Sequence, residues 1–206
     1  MGPLAEGGFV LRRSLVLVAA LVAALIVAAT ALAAGVTVRV EGKTQTIFGS
    51  VPAKVDAANA LQALDLASTL GEFYYQLTHS SFGDYVSQIG KYPAAGSAGW
   101  VFKVNGVSPP VGADKVTLED GDAVLWYWAE FGPNGGPPTL ELKADGKNCY
   151  RVTSYDDAGK ATAGSTAVLH VDGRRITTPL GRGCVGAHRG LVRAYAVGAV
   201  RSNSVK

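Results

Sequence analysis

The sequence predicts an α+β fold: a β-grasp domain, with one helix on a mixed sheet, followed by a small all-β sandwich domain. Three observations carry this. Trp100 to Val104 and Ala123 to Ala129 alternate as strands do, with Asn105-Gly106 and Asp120-Gly121-Asp122 as turns. An apolar stripe at helical spacing runs through Val55, Ala58, Leu61, Ala63, Leu64, Ala67 and Leu70. Beyond residue 138, short apolar runs alternate with turn signals and no helical stripe recurs.

The chain begins with an export segment. Arg12 and Arg13 form a positive region, Ser14 to Val38 carries no charge, and Leu15 to Ala29 is densely apolar. Ala31-Leu32-Ala33 places small residues where a signal peptidase cuts. Residues 1–34 therefore read as a signal peptide or, uncleaved, as a transmembrane signal anchor long enough for a hydrocarbon core of about 30 Å. Either outcome places the rest outside: secreted, or on the extracellular face of the cell membrane. The Ala, Gly, Val and Arg bias suggests a bacterial source.

Within 206 residues, hydrophobic side chains make up 48% and charged ones 17%, a skew that the N-terminal segment largely supplies. The 26 Gly and 9 Pro imply many turns. Phe131-Gly132-Pro133-Asn134-Gly135-Gly136-Pro137-Pro138 contains little but loop formers, so residues 133–138 read as a linker between domains at 35–132 and 139–206. Residues 35–132 carry 6 Lys/Arg against 10 Asp/Glu and hold 13 of the 17 aromatics; residues 139–206 carry 11 against 5. The first domain has material for an apolar pocket. The second, through Arg174, Arg175, Arg182, Arg189, Arg193 and Arg201, has material for an anionic cell-envelope polymer.

In the first domain, Val36 to Val40 reads as a strand with Gln45 to Gly49 as its hairpin partner. Pro52 occupies the first turn of a helix over Pro52 to Leu70, which Gly71 ends. Phe73-Tyr74-Tyr75 and Tyr85 to Ile89 supply further strands. In the second domain the strands are Leu140 to Lys143, Cys149 to Tyr155, Ala167 to Val171, Arg174 to Thr178 and Leu191 to Val197, with an Asp172-Gly173 hairpin turn. Cys149 and Cys184, the only cysteines, are expected to form a disulfide in an oxidising compartment. Its loop of about 36 residues is worth roughly 3–4 kcal/mol by chain entropy.

Four segments in order carry a family resemblance: Asn59-Ala60-Leu61 on the helix, then Tyr85-Val86-Ser87-Gln88-Ile89-Gly90, Gly99-Trp100-Val101-Phe102-Lys103-Val104-Asn105-Gly106, and Leu118-Glu119-Asp120-Gly121-Asp122-Ala123-Val124-Leu125-Trp126-Tyr127-Trp128. Together residues 36–131 resemble the transcobalamin-like C-terminal domain family. The resemblance implies a β-grasp fold. In animal carriers of that family the domain caps a corrin held against a helical barrel; this chain has no such barrel. The C-terminal domain resembles immunoglobulin-like or carboxypeptidase-regulatory-like modules.

No catalytic constellation stands out. His79, His170 and His188 are scattered, no Ser lies in a nucleophile elbow, and Asp120 with Asp122 reads as a turn. No metal-ligand spacing is present. Most aromatics of the two Trp strands belong beneath the helix. The second face of the later strand, Leu125 and Tyr127, is apolar too, and marks either a ligand surface or a contact with the other domain. Tyr74, Tyr75 and Phe131 extend it, so Tyr74, Tyr75, Leu125, Tyr127 and Phe131 are the candidate ligand-binding residues. The expected function is a non-catalytic exported binding or adhesion module at the bacterial cell surface, without a cofactor and without nucleic acid. Alternatives are a carrier for cobalamin or another planar apolar small molecule, and an enzyme of unrecognised type.

Overall fold

The computed structural model describes residues 33–80, 83–133, 135–162 and 165–206. The proposed signal segment lies almost wholly outside them. Among the described residues no helix is long and apolar enough to cross a membrane.

The strands are β1 (Ala34–Glu41), β2 (Thr46–Ala57), β3 (Tyr75–Ser80), β4 (Gly83–Ile89), β5 (Tyr92–Pro93), β6 (Ala98–Val104) and β7 (Ala123–Glu130) in the first lobe. The second lobe has β8 (Thr139–Ala144), β9 (Cys149–Tyr155), β10 (Ala161–Thr162), β11 (Ala167–Val171), β12 (Arg174–Thr178), β13 (Arg182–Cys184) and β14 (Arg193–Tyr195). The single described α-helix, α1, spans Ala60–Leu70, and a short 3-10 helix spans Pro179–Gly181.

This corrects the expected fold class. Over the described residues the fold is mostly β, with 53% strand, 8% helix and four sheets in a β-sandwich-type arrangement rather than an α+β β-grasp. The expectation rested on a helix from Pro52, and that start is where it fails. Val51, Ala53, Val55 and Ala57 also have period 2, and β2 pairs antiparallel with β1 through Ala57. Between the pairs Val38–Ala53 and Val40–Phe48 the register shifts, so β2 bulges over Gly49 to Pro52. A bulge tolerates a proline that cannot donate to the ladder. Gly49 has φ +74°, and a side chain there would meet the Val38 carbonyl at 2.5 Å. The helix begins only after Asn59, whose Oδ1 accepts from the Gln62 N–H at 2.8 Å, while Gln62 Oε1 accepts from the Ala58 N–H.

The main sheet has the order β2-β1-β7-β6, with β1 and β7 parallel and β6 antiparallel to β7. Val36, Val38, Val40, Val124 and Trp126 on one face pack with Ala60, Ala63, Leu64 and Ala67 of α1 in a buried core. β3, β4 and β5 form a separate three-stranded sheet.

In the second lobe, β8 and β9 contribute Leu140, Leu142, Tyr150 and Val152 to one core, and β11 and β14 contribute Leu169, Val171 and Ala194. The Asp172-Gly173 turn has positive φ at both residues, as its sequence predicts. Cys149 and Cys184 lie opposite each other on β9 and β13 and are joined by a disulfide. The other face of β7 is covered: Tyr127 and Ala129 are buried with Val200, flanked by Val101 and Leu125.

Candidate aromatic cleft at the edge of the main sheet

β6 is an edge strand, and a cleft of about 330 Å³ runs along it. Trp100, Phe102 and Trp126 form its aromatic wall. Leu77, Tyr85 and Val86 of the β3–β4 hairpin also line it. Leu61 of α1, Ser108, Pro109, Gly112 and Ala113 of the connecting loop, and Phe131, 40% exposed, complete the lining.

The wall is fixed by packing and by indole hydrogen bonds. Phe102 stacks on Trp126 at 5.0 Å between centroids, and Trp126 Nε1 donates to the Ala60 carbonyl at 3.2 Å. Trp100 meets Trp128 edge-on at 5.8 Å and donates from Nε1 to the Tyr92 carbonyl at 2.8 Å. These rings are therefore held before any ligand arrives. The hairpin residues are more open: Tyr85 is 50% exposed and Leu77 36%.

Three carboxylates, Asp84, Asp114 and Asp157, also line the cleft. Asp84 Oδ1 lies 2.6 Å from His79 Nδ1, and Asp114 Oδ2 lies 2.9 Å from Lys115 Nζ. The Lys115 hydrogen bond holds the Asp114 carboxyl below the usual carboxylate range. Asp157 accepts from the Tyr127 hydroxyl at 3.1 Å and from the Gly136 N–H at 3.3 Å. Burial, then Asp157, pushes the Tyr127 hydroxyl well above its ordinary range.

The five sequence candidates are dispersed. Tyr127 and Phe131 line the cleft. Leu125 faces the second lobe and lines another groove, of about 460 Å³. Tyr74 is exposed, its hydroxyl accepting from Gln88 Nε2 at 2.7 Å. Tyr75 donates to Asp65 at 3.1 Å; burial, then this bond, pushes its hydroxyl up to about 12. Sequence reasoning missed Leu77, Tyr85, the loop 108–114 and the three aspartates. Tyr85 and Asp84 stood beside a recognised strand, but nothing local shows that this hairpin faces β6.

In the larger groove the polar groups are engaged within the chain, as the cleft carboxylates are. Asn105 bonds Asp122 and the Ala123 N–H, Asn203 bonds both backbone groups of Leu142, and Glu141 takes Lys143 and the Tyr155 hydroxyl. Asp120 and Asp122 are consumed in the same way, by the N–H groups of Gly35 and Glu119 and by Asn105. Among the described residues no three His, Cys, Asp or Glu side chains gather as a metal site needs.

Of the six arginines singled out in the second lobe, two turn inward and four stay exposed. Arg193 and Arg201 bind Glu41, Arg182 binds Asp145 at 2.8 Å, and Arg174 donates to the Val185 and Ala187 carbonyls. The residues that could still meet an envelope polymer are the exposed Arg174, Arg175, Arg182 and Arg189.

Residues 57–130 match the model of a domain of unknown function, DUF4430. That span holds every cleft wall except Phe131 and Asp157. A comparison with curated proteins finds no match. Among solved structures, the chain is similar to a protein of Ruminococcus gnavus provisionally described as a metal-binding protein, at 18% identity and a TM-score of 0.37, over 47% of this chain and 97% of that one. At this level of similarity neither fold nor function is transferred.

Proposed function

We propose that this chain is a non-catalytic binding module that works outside the cell, and that its ligand site is the cleft along β6. One observation carries the reading: Phe102 and the edges of the largely buried Trp100 and Trp126, all fixed by packing, line a cleft together with the exposed Leu77 and Tyr85. Small-molecule and side-chain sites have this make-up, with apolar walls, few polar groups and volumes upward of about 300 Å³. The disulfide supports an oxidising compartment, and with it the export reading of the N-terminal segment. The rim carboxylates are already engaged by neighbours, which favours retention of a ligand over chemistry on it.

The domain match at residues 57–130 and the transcobalamin-like resemblance support a second reading, a carrier of a planar apolar molecule such as a corrinoid. A cleft of about 330 Å³ matches one edge of such a molecule, not the whole. That reading expects a red corrinoid to co-purify.

Titration of the full chain with Nile red, a neutral planar fluorophore, tests the site. Emission should rise and saturate at one probe per chain. Tyr85→Ala and Leu77→Asp should each weaken binding about tenfold, since burying one such side chain is worth about 1.5–3 kcal/mol. Both positions are partly exposed, so the melting temperature should hardly change. Unsaturable emission, or binding indifferent to both substitutions, would overturn the assignment.

A further inference from the structure

The cleft is bounded by unpaired main chain as well as by side chains. In the β6–β7 ladder, Asn105 N–H donates to the Ala123 carbonyl and Phe131 N–H to the Ser97 carbonyl. Between them the register is unbroken, with Trp100 opposite Trp128 and Phe102 opposite Trp126. Antiparallel pairs alternate between bonded and non-bonded. The odd-numbered residues from 97 to 105 therefore bond β7, and Ala98, Trp100, Phe102 and Val104 point their N–H and C=O groups away from it.

The two end positions are closed. Ala98 exchanges two hydrogen bonds with Ala95, at 2.9 and 3.0 Å, and Val104 exchanges two with Val107, at 2.9 and 3.1 Å. Among the described residues nothing closes the two between. A window remains over Trp100 and Phe102, with two donors and two acceptors spaced as a strand spaces them, and it opens into the apolar cleft. β4 also lines the cleft but pairs only with β3 and β5.

We propose that the cleft receives a short extended peptide segment of a partner protein, which pairs with the free edge of β6 at Trp100 and Phe102 and seats apolar side chains against the aromatic wall. This rests on the cleft being the ligand site and names its occupant. A free edge needs a partner that presents a donor and an acceptor every second residue, and an extended peptide does so. Trp100 and Phe102 are about 6.8 Å apart along the strand, so three residues of the partner span the window. The closed ends keep the site short, which prevents sheet extension by a long strand. Asp84 and Asp114 are paired with His79 and Lys115, but with side chains 40% and 39% exposed at the rim each keeps acceptor sites for a Lys or Arg beside the apolar residues of the segment. The acidic excess of residues 35–132 acts in the same direction.

The test selects displayed random heptapeptides on the full chain and follows the enriched sequences as synthetic peptides. Enriched peptides should alternate apolar residues and carry a flanking Lys or Arg. N-methylation of the amides that face β6 should weaken binding at least tenfold, and methylation of the intervening amides should not. By amide hydrogen exchange, Trp100 and Phe102 should exchange fast in the free chain and slow on binding, while Val101 and Lys103 are protected throughout. The proposal is overturned if no sequence is enriched, if methylation at either set of amides has the same effect, or if Trp100 and Phe102 are already protected in the free chain. Competition separates the two levels. Nile red that binds but is displaced by no peptide leaves the ligand site standing and removes the strand pairing; failure of both removes the site as well.

Discussion

Lys103 has no exposed surface, yet it carries an ammonium group. Its Nζ donates to the Asp156 carbonyl at 2.7 Å and to Thr139 Oγ1 at 3.1 Å, lies 3.9 Å from Asp157, and sits 5.8 Å from the Tyr127 ring centre. It thus ties β6 to the second lobe. Burial lowers its pKa, opposed by Asp157 and Asp156. The unfolded chain therefore binds more protons than the folded chain between the folded value and the ordinary lysine value of about 10.4, and stability rises with pH through that window. Tyr127, whose pKa is raised, acts in the opposite direction only above its ordinary value of about 10. Urea melts from pH 7.5 to 9.5 should show the native chain gaining stability relative to Lys103→Met as pH rises. A constant difference would mean that the ammonium is not held against burial. Nothing in the sequence marks Lys103 as buried, because on an alternating strand a lysine reads as solvent-facing; the partners that satisfy it lie more than 35 positions away.

At the scale of elements, the tight turns were legible because their chemistry is local. Asn105-Gly106 and Asp172-Gly173 both adopt the positive φ that two-residue turns demand, and the strands around them fall where alternation places them. The helix start was not legible. Pro52 fits a first helical turn and a strand bulge equally well, and only pairing with β1 decides between them. Asn59 is where the helix gains its cap. Asn59→Ala should cost about 1 kcal/mol, within the range of 0.5–2 for lost N-caps, read from the urea midpoint at constant m. An unchanged midpoint would mean that the helix takes its start from elsewhere. The β3–β4 hairpin has the opposite difficulty. Its strands are local, but its placement across from β6 is a long-range result of packing, so Leu77 and Tyr85 gave no signal as cleft residues.

The two lobes are joined by charge as well as by Tyr127 and Val200. Glu41 of β1 is 1% exposed and takes Arg193 and Arg201 from the second lobe together with Arg39. Thr46 donates to the same carboxylate at 2.9 Å, and Arg201 also donates to the Gly42 carbonyl at 2.5 Å. Burial lowers the Arg39 pKa against the pull of Glu41, and Arg193 and Arg201 lower it further. One carboxylate thus holds three largely buried guanidiniums, and its removal leaves them facing one another. Glu41→Gln should destabilise the chain by about 3–5 kcal/mol, as removal of one partner of a buried ion pair does. A loss below 1 kcal/mol in urea unfolding would mean that the cluster is solvated and does not join the lobes. The sequence spreads these groups over 160 positions, where the arginines read as a basic surface; the fold turns two of them inward and leaves the acidic first lobe to present its cleft.

At the scale of the whole molecule, the cleft along β6 is where we propose that the ligand is taken up. Crystals of the chain soaked in bromobenzene test it most directly, because the bromine can be located by anomalous diffraction and a small apolar ring enters only a preformed apolar space. The strongest bromine peak should lie inside the cleft, among Phe102, Tyr85 and Ala113. A cleft without a peak, or a stronger peak in the groove between the lobes beside Leu125 and Thr139, would contradict the proposal.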